Sequence, residues 1–481
     1  MTIIKNQTSQ SIKNPCGLII KLISFFIMLL IFAVQSNGDL KAQPKNQNKE
    51  NKIYVNNQGI ICYSQNGKEA SFFGVNSALP FSHVYRALKE LGVDVEEEIE
   101  NDVYHWSRIG FDAFRIHVWD YSISDSTGNL IVNEHLNLLD YLIWKLKERD
   151  IQIILTPINF YTSHYPMPAP PSPGFSGYIS KPEAFQNEEY WPVLQRFLRQ
   201  FVNHTNPYTG LAYKNDPDII GLELLNEPAT WGDPDKITRF VNGLDGAIEA
   251  EGWDKPVFYN VSQNSNAAPS ILEADIEGGS FQWYPAGLVS GRTLKGNYLP
   301  FVDHYPIPFK DHPHFRNKAQ MIYEFSPADR MDAYAYPAMA REFRSAGFQW
   351  ATQFSYDPLH LAYANTDYRT HYLNLAYTPA KAIGMMIASK VFHRIPPGKS
   401  YGSLPENKSF GPFRVSYDEQ LAEMNSEKEF YHTATTSTKP KAPHKLEHIA
   451  GTGSSPVVDY SGTGAYFLDK LEKGVWRLEI M

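Results

Sequence analysis

Gly221-Leu-Glu-Leu-Leu-Asn-Glu-Pro228 begins as a short apolar run and ends on a carboxylate, after which a proline stops it. A run of that length that buries its side chains reads as a strand, and a lone acid at its C-terminal end needs solvent or a ligand in front of it. Met321-Ile-Tyr-Glu-Phe325 repeats the pattern three strands later, with Glu324 in the place of Glu227. The two acids together imply a two-carboxylate site at the mouth of a β-barrel. Glu223 is the opposite case. It lies inside the first run, so it reads as the buried partner of a basic group.

Working outward, apolar runs alternate with amphipathic segments. The strand candidates are Ala70–Asn76, Ala113–Val118, Ile151–Leu155, Ile219–Leu225, Val257–Val261, Ser280–Tyr284, Gln320–Tyr323 and Trp350–Phe354. Between them, Leu136–Lys147 and Trp191–Val202 carry apolar residues at three- and four-residue spacing and read as helices. Eight strands with intervening helices predict an α/β fold, a (β/α)8 TIM barrel over residues 52–395. A doubly wound open sheet is the structural rival, but no Gly-x-Gly-x-x-Gly turn follows the first strand. Ile53–Val55 and Gly59–Tyr63 flank Asn56-Asn-Gln58 and predict a hairpin ahead of the barrel. Residues 396–410 are a Pro/Gly/Ser linker, and the short alternating runs of 411–481 predict a small β-sandwich-like accessory domain. Packing against the barrel is favoured for that domain over glycan binding.

The chain has 481 residues, 43% hydrophobic, 14% aromatic and 20% charged, with a formal charge of -8. A large core is possible, and global disorder is excluded. Lys5, Lys13 and Lys21 precede the apolar run Leu22–Val34, which is short for a bilayer span. Residues 1–36 therefore read as a signal peptide cut after Ser36, with a cut after Ala42 or an uncleaved anchor as alternatives. Residues 37–51 form a flexible leader. After signal cleavage no integral membrane domain is expected, and the protein is exported: periplasmic, cell-surface or extracellular. An acidic exported chain without a basic run is a poor nucleic-acid binder. Cys16 falls in the removed segment, which leaves Cys62 alone and predicts no intramolecular disulfide.

The loops after the strands are long. Asn159–Tyr178 is too rich in proline for helix or central strand and predicts a stiff aromatic wall, and Pro285–Asp303 adds a second excursion. Aromatic side chains at the rim of a polar cleft suit sugar rings, whose axial C–H faces are apolar while their hydroxyls are not. Trp283 and Trp350 are candidate platforms, and Trp119-Asp120 is a candidate sugar contact at the second loop. His117 and His304 read equally as sugar ligands or as core histidines.

These pieces resemble the retaining glycoside hydrolases of clan A, and most closely the cellulase-like family 5, over roughly Ile53 to Phe392. Asn226-Glu227-Pro228 matches the clan's Asn-Glu-Pro at the end of the fourth barrel strand, and Glu324 stands where the seventh strand carries the nucleophile. Arg115 in Phe114-Arg-Ile-His-Val118 matches a second-strand arginine, and Tyr284 matches the sixth-strand tyrosine beside the nucleophile. The chain departs from the pattern at Gln282, where family 5 usually has histidine, at Asn159, where histidine is often found, and at His117. The resemblance implies hydrolysis of a β-linked polysaccharide or oligosaccharide by double displacement, with β-glucan or β-mannan favoured. Transglycosylation on the same substrates and a non-catalytic glycan-binding barrel are the alternatives.

What the resemblance implies for the site follows from the reaction. Two carboxyl groups about 5 to 5.5 Å apart can deliver a proton to the leaving oxygen and electron density to the anomeric carbon. Glu324 would attack, while Glu227 would donate a proton and later activate water. Glu227 must then rest protonated, raised by burial and by Glu324. Arg115 and Tyr284 would keep Glu324 ionised and aimed, and Asn226 would hold the sugar 2-hydroxyl. His117, Trp119, Asn159, Gln282, Trp283 and Trp350 complete the expected substrate contacts. No metal site and no cofactor are implied.

Overall fold

In the computed structural model each of the eight runs is a strand, and the described residues are 52–161, 170–261, 265–287, 292–303, 305–307, 309–328, 330–364 and 371–481. The expected signal peptide, leader and His304 lie outside them, as does part of the third-strand loop, 162–169.

A hairpin of β1 (Ile53–Val55) and β2 (Ile61–Tyr63) comes first. The barrel strands are β3 (Phe72–Ser77), β4 (Ala113–His117), β5 (Gln152–Thr156), β6 (Ile219–Glu223), β7 (Val257–Asn260), β8 (Gly278–Trp283), β9 (Ala319–Phe325) and β10 (Trp350–Gln353). They pair in parallel in chain order, and β10 joins both β9 and β3 to close the ring. Strands buried on both faces are what continuous apolar runs produce when helices cover the outside.

The helices form for local reasons too. Val95–Ile109 starts on Asp94, whose side chain accepts from Glu96 N, and ends on Gly110 in the left-handed region. Its buried Val95, Ile99, Val103 and Trp106 recur at three- and four-residue spacing, which turns one stripe to the barrel. The two predicted helices are present as Glu134–Glu148 and Trp191–Asn203.

The hairpin stoppers the barrel at the N-terminal end of its strands. Ile53 and Ile61 pack into one cluster with Phe72, Ala113, Ile154, Ile220, Phe258, Met321, Tyr323 and Trp350. Gln349 pins it: its side chain accepts from Ile61 N at 2.7 Å and donates to Ile61 O and Ala70 O at 2.8 and 2.9 Å. Gly59 turns the hairpin at φ +72°, where a Cβ would stand 2.6 Å from the Lys318 carbonyl oxygen.

After the helix Pro379–Arg394 the β-rich region follows as one seven-stranded sheet in chain order: β11 (Ser409–Phe410), β12 (Phe413–Ser416), β13 (Leu421–Asn425), β14 (Glu429–His432), β15 (His448–Gly451), β16 (Tyr466–Glu472) and β17 (Val475–Ile480). All its pairs are antiparallel except β14 with β15. Phe410, Phe413, Met424, Tyr431 and Phe467 belong to the same buried cluster as the barrel's outer layer. Arg108 of the helix Val95–Ile109 adds ion pairs to Asp469 at 2.7 Å and Glu479 at 2.6 Å, with its guanidinium 4.1 Å from the Phe467 ring.

Candidate active site

Glu227 lies four residues past the end of β6, held by its backbone neighbours. Asn226 N donates to Ile158 O at 2.8 Å, and Lys181 Nζ donates to Asn226 O at 3.0 Å. Between those anchors Glu227 takes φ +44°, a left-handed conformation that a non-glycine residue adopts only when its surroundings impose it. Glu324 sits within β9, 6% exposed.

Beneath both acids lies a fully buried polar layer centred on Arg115 and Glu223. Arg115 Nε donates to Glu223 Oε2 at 2.8 Å, and its Nη2 pairs with the same oxygen. The rest of the guanidinium donates to Asn226 Oδ1 at 2.7 Å and Asn76 Oδ1 at 3.1 Å. Glu223 further accepts from Thr156 at 2.9 Å, from Asn260 at 3.1 Å and from Ser280. The expectation that Glu223 partners a buried base is met by Arg115. Burial works against the Arg115 charge, yet Glu223 and Glu324 hold it above its ordinary range.

Glu324 faces donors. Tyr284 OH donates to Oε2 at 2.8 Å, Arg115 Nη1 stands 3.6 Å from Oε1, and His117 Nε2 is 3.2 Å from the same oxygen. Burial and the Glu324 charge push the Tyr284 phenol well above its ordinary value, so it stays a proton donor. His117 Nε2 is also 2.7 Å from Arg115 Nη1, so that one nitrogen either accepts from the guanidinium or donates to the carboxylate.

The surroundings of Glu227 differ. Tyr161 OH donates to Oε2 at 2.9 Å and accepts from Asn226 Nδ2 at 3.1 Å. Tyr323 OH is 3.2 Å from Oε1 but 2.7 Å from Gln282 Oε1. A phenol has one proton to give, and with it on Gln282 a protonated Glu227 can donate to the Tyr323 oxygen. Burial, then the charge of Glu324, raises the Glu227 carboxyl, against the opposing pull of Lys181, Tyr161 and Tyr323. One acid is thus surrounded by donors to a carboxylate and the other is biased towards holding its proton.

Not every expected contact is here. Trp283 points away from the mouth: Ser280 and Gln282 contact the interior polar groups, so the alternation of β8 sends Phe281 and Trp283 outward. Its ring packs against Tyr305 at 5.1 Å and Phe343 at 5.3 Å. Trp350 is at the wrong end, fully buried in the stoppered cluster with its indole bonded to Thr352. Neither is a sugar platform. Phe354, just past β10, is the aromatic at the mouth instead, its ring 6.0 Å from His117 and 5.5 Å from His371. Trp119 does reach the site, tilted 5.8 Å from Tyr161 and stacked on Phe81. Asn159 acts on the loop: its Oδ1 accepts from Tyr161 N at 2.8 Å, and its own N–H goes to Asp120 Oδ1 at 2.8 Å.

Four site residues escaped the sequence reading: Tyr161, Lys181, Tyr323 and Phe354. The register of β8 with β9 shifts between Phe281↔Ile322 and Gln282↔Glu324, which makes Tyr323 an extra residue. That bulge lets sequence neighbours Tyr323 and Glu324 serve one site, where strict alternation would separate them.

No family model matches the chain. It is 23% identical over 132 residues to mannan endo-1,4-beta-mannosidase 2 of Oryza sativa subsp. japonica, a stretch that makes up 26% of this chain and 29% of that protein. Solved structures extend the likeness. An endo-1,4-beta-mannanase from Rhizomucor miehei superposes with a TM-score of 0.51 at 16% identity, over 71% of this chain and 98% of that one. An endo-beta-1,4-mannanase from Thermotoga petrophila gives 0.52 at 14% identity, covering 86% and 98%. A glycoside hydrolase family 5 mannosidase from Rhizomucor miehei gives 0.52 at 14%, covering 72% and 99%. At these identities the likeness establishes the (β/α)8 fold.

Proposed function

We propose that this chain is a retaining glycoside hydrolase of clan A, similar to family 5, that cleaves β-glycosidic bonds in a polysaccharide or oligosaccharide, β-mannan first. The observation that carries the reading is the opposite conditioning of two carboxyl groups beyond β6 and on β9. Glu324 accepts from Tyr284 and faces the Arg115 charge and His117, while Glu227 is raised by burial and by Glu324. That is the division of labour double displacement needs.

In the first half-reaction Glu324 attacks the anomeric carbon, and Glu227 gives its proton to the departing oxygen. In the second, Glu227 as a carboxylate takes a proton from water, which displaces Glu324. Tyr284 and Arg115 stabilise the charge on Glu324 as it leaves. The Asn226 amide is engaged on both sides, by Arg115 and by Tyr161, so a sugar 2-hydroxyl would share it rather than find it vacant. Mannan is put ahead of glucan because the relatives described above are named mannanases and mannosidases.

Export is part of the proposal, supported by the basic and apolar residues 1–36. Among the described residues no helix is long and apolar enough to cross a membrane.

The test is turnover. Wild type is screened on β-mannans, β-glucans, xylans and galactans, and Glu324→Gln is assayed on whichever is cleaved. Loss of at least a thousandfold in kcat is expected, because the covalent step has no nucleophile. Comparable turnover by the two proteins overturns the assignment.

A further inference from the structure

Lys181 is a charged side chain that the reaction outlined above does not use, yet it is built into the site. It is the first residue of the short helix Lys181–Gln186, whose start is fixed by a reciprocal cap between Ser180 and Glu183. Ala184 and Phe185 bury the helix against the barrel, so the lysine is carried by an anchored element. Its ammonium donates to Asn226 O at 3.0 Å and lies 4.9 Å from the Tyr161 ring centre. Tyr161 is itself the donor to Glu227 Oε2.

We propose that Lys181 is a positioning residue for Glu227, fixing its backbone through the Asn226 carbonyl and placing a positive charge beside its carboxyl group. The proposal rests on the hydrolase reading for the role of Glu227, but not for the interaction itself.

The geometry explains why such a group is needed. The peptide that Lys181 grips is the one that leads into the left-handed turn at Glu227, so the grip helps hold the strained conformation. The charge acts on the proton. Glu227 is acted on by Glu324, Lys181, Tyr161 and Tyr323, and without the cation burial and Glu324 would go less opposed. An acid held too high is a weak proton donor in the first half-reaction and is too seldom the free carboxylate that the second requires. Lys181 in turn lies in the field of Glu227, Asp120 and Glu324, while burial brings its ammonium down to about 8. It therefore stays charged through neutral pH.

The experiment is a carboxyl 13C titration of Glu227, its resonance assigned by comparison with Glu227→Gln, in wild type, Lys181→Met and Lys181→Arg. The midpoint should move to higher pH in Lys181→Met and return close to wild type in Lys181→Arg. In a pH profile of kcat/KM the alkaline limb of Lys181→Met should move the same way, with kcat reduced about tenfold by the loosened Asn226–Glu227 peptide. A folded Lys181→Met with an unmoved midpoint overturns the proposal, whatever its kcat, as does a shift of equal size in Lys181→Arg. Lys181→Gln replaces Lys181→Met if the latter fails to fold. Because the titration needs no substrate, a wild type inert on every glycan would sink the hydrolase reading and leave Lys181 to be judged separately.

Discussion

Burial and a neighbouring carboxylate push Glu227 in one direction, and that has a price in stability that can be measured. Its folded pKa lies above the ordinary value of 4.5, so between the two the native state binds more protons than the unfolded chain. Stability from this group is therefore fully present below about 4.5 and is lost as pH rises through the raised folded value. Glu227→Gln removes the ionisation. Its melting temperature should match or fall below that of wild type in acid, and the difference should move in favour of the variant as pH rises to neutrality. Thermal melts of the two proteins across that range check the sign. The two glutamates stand out in the chain because an acid at the end of an apolar run is chemically out of place, whereas Arg115 and Tyr284 were expected only from the family resemblance. Lys181 was not expected, since a lone lysine opening a short polar helix after the proline-rich loop carries no sign that it turns inward.

At the level of elements, apolar periodicity was enough to find all eight barrel strands and both predicted helices. It was not enough to say which end of a strand a residue occupies or which face a side chain takes near an irregularity. Trp350 begins β10, as the sequence pattern has it, and so lies at the end away from the mouth, where Phe354, four residues later, stands. Trp283 was misjudged by one step of alternation, and Tyr323 was hidden by the bulge between β8 and β9. The Trp283 correction has a consequence for variants. With its ring packed on Tyr305 and Phe343, Trp283→Ala should cost about 3 kcal/mol of stability and leave KM within about twofold of wild type. Chemical denaturation alongside steady-state kinetics separates the two effects; a large rise in KM with intact stability would return Trp283 to the substrate.

On the scale of the whole molecule, the C-terminal sheet is fastened to the barrel by shared apolar burial and by Arg108, whose side chain is 12% exposed between Asp469 and Glu479. Without Arg108, Asp469 keeps Arg477 and His448 and Glu479 keeps Tyr104, so the loss is of a largely buried cation and its ring contact and not of every partner the two acids have. Arg108→Ala should therefore destabilise the protein by about 2 to 3 kcal/mol and lower the melting midpoint by a few degrees, with kcat unchanged below the transition. Calorimetry at constant pH measures it, and an unshifted midpoint would mean that the apolar contacts alone hold the sheet. The β1–β2 hairpin has a different consequence. With Ile53 and Ile61 corking the far end, the barrel is closed there among the described residues. Under the proposed function, water driven off when a chain of sugars settles, the attacking water of the second step and the released fragment would then all pass at the opposite end. Traffic past the loops around that end would compete with bond-breaking to pace the proposed cycle.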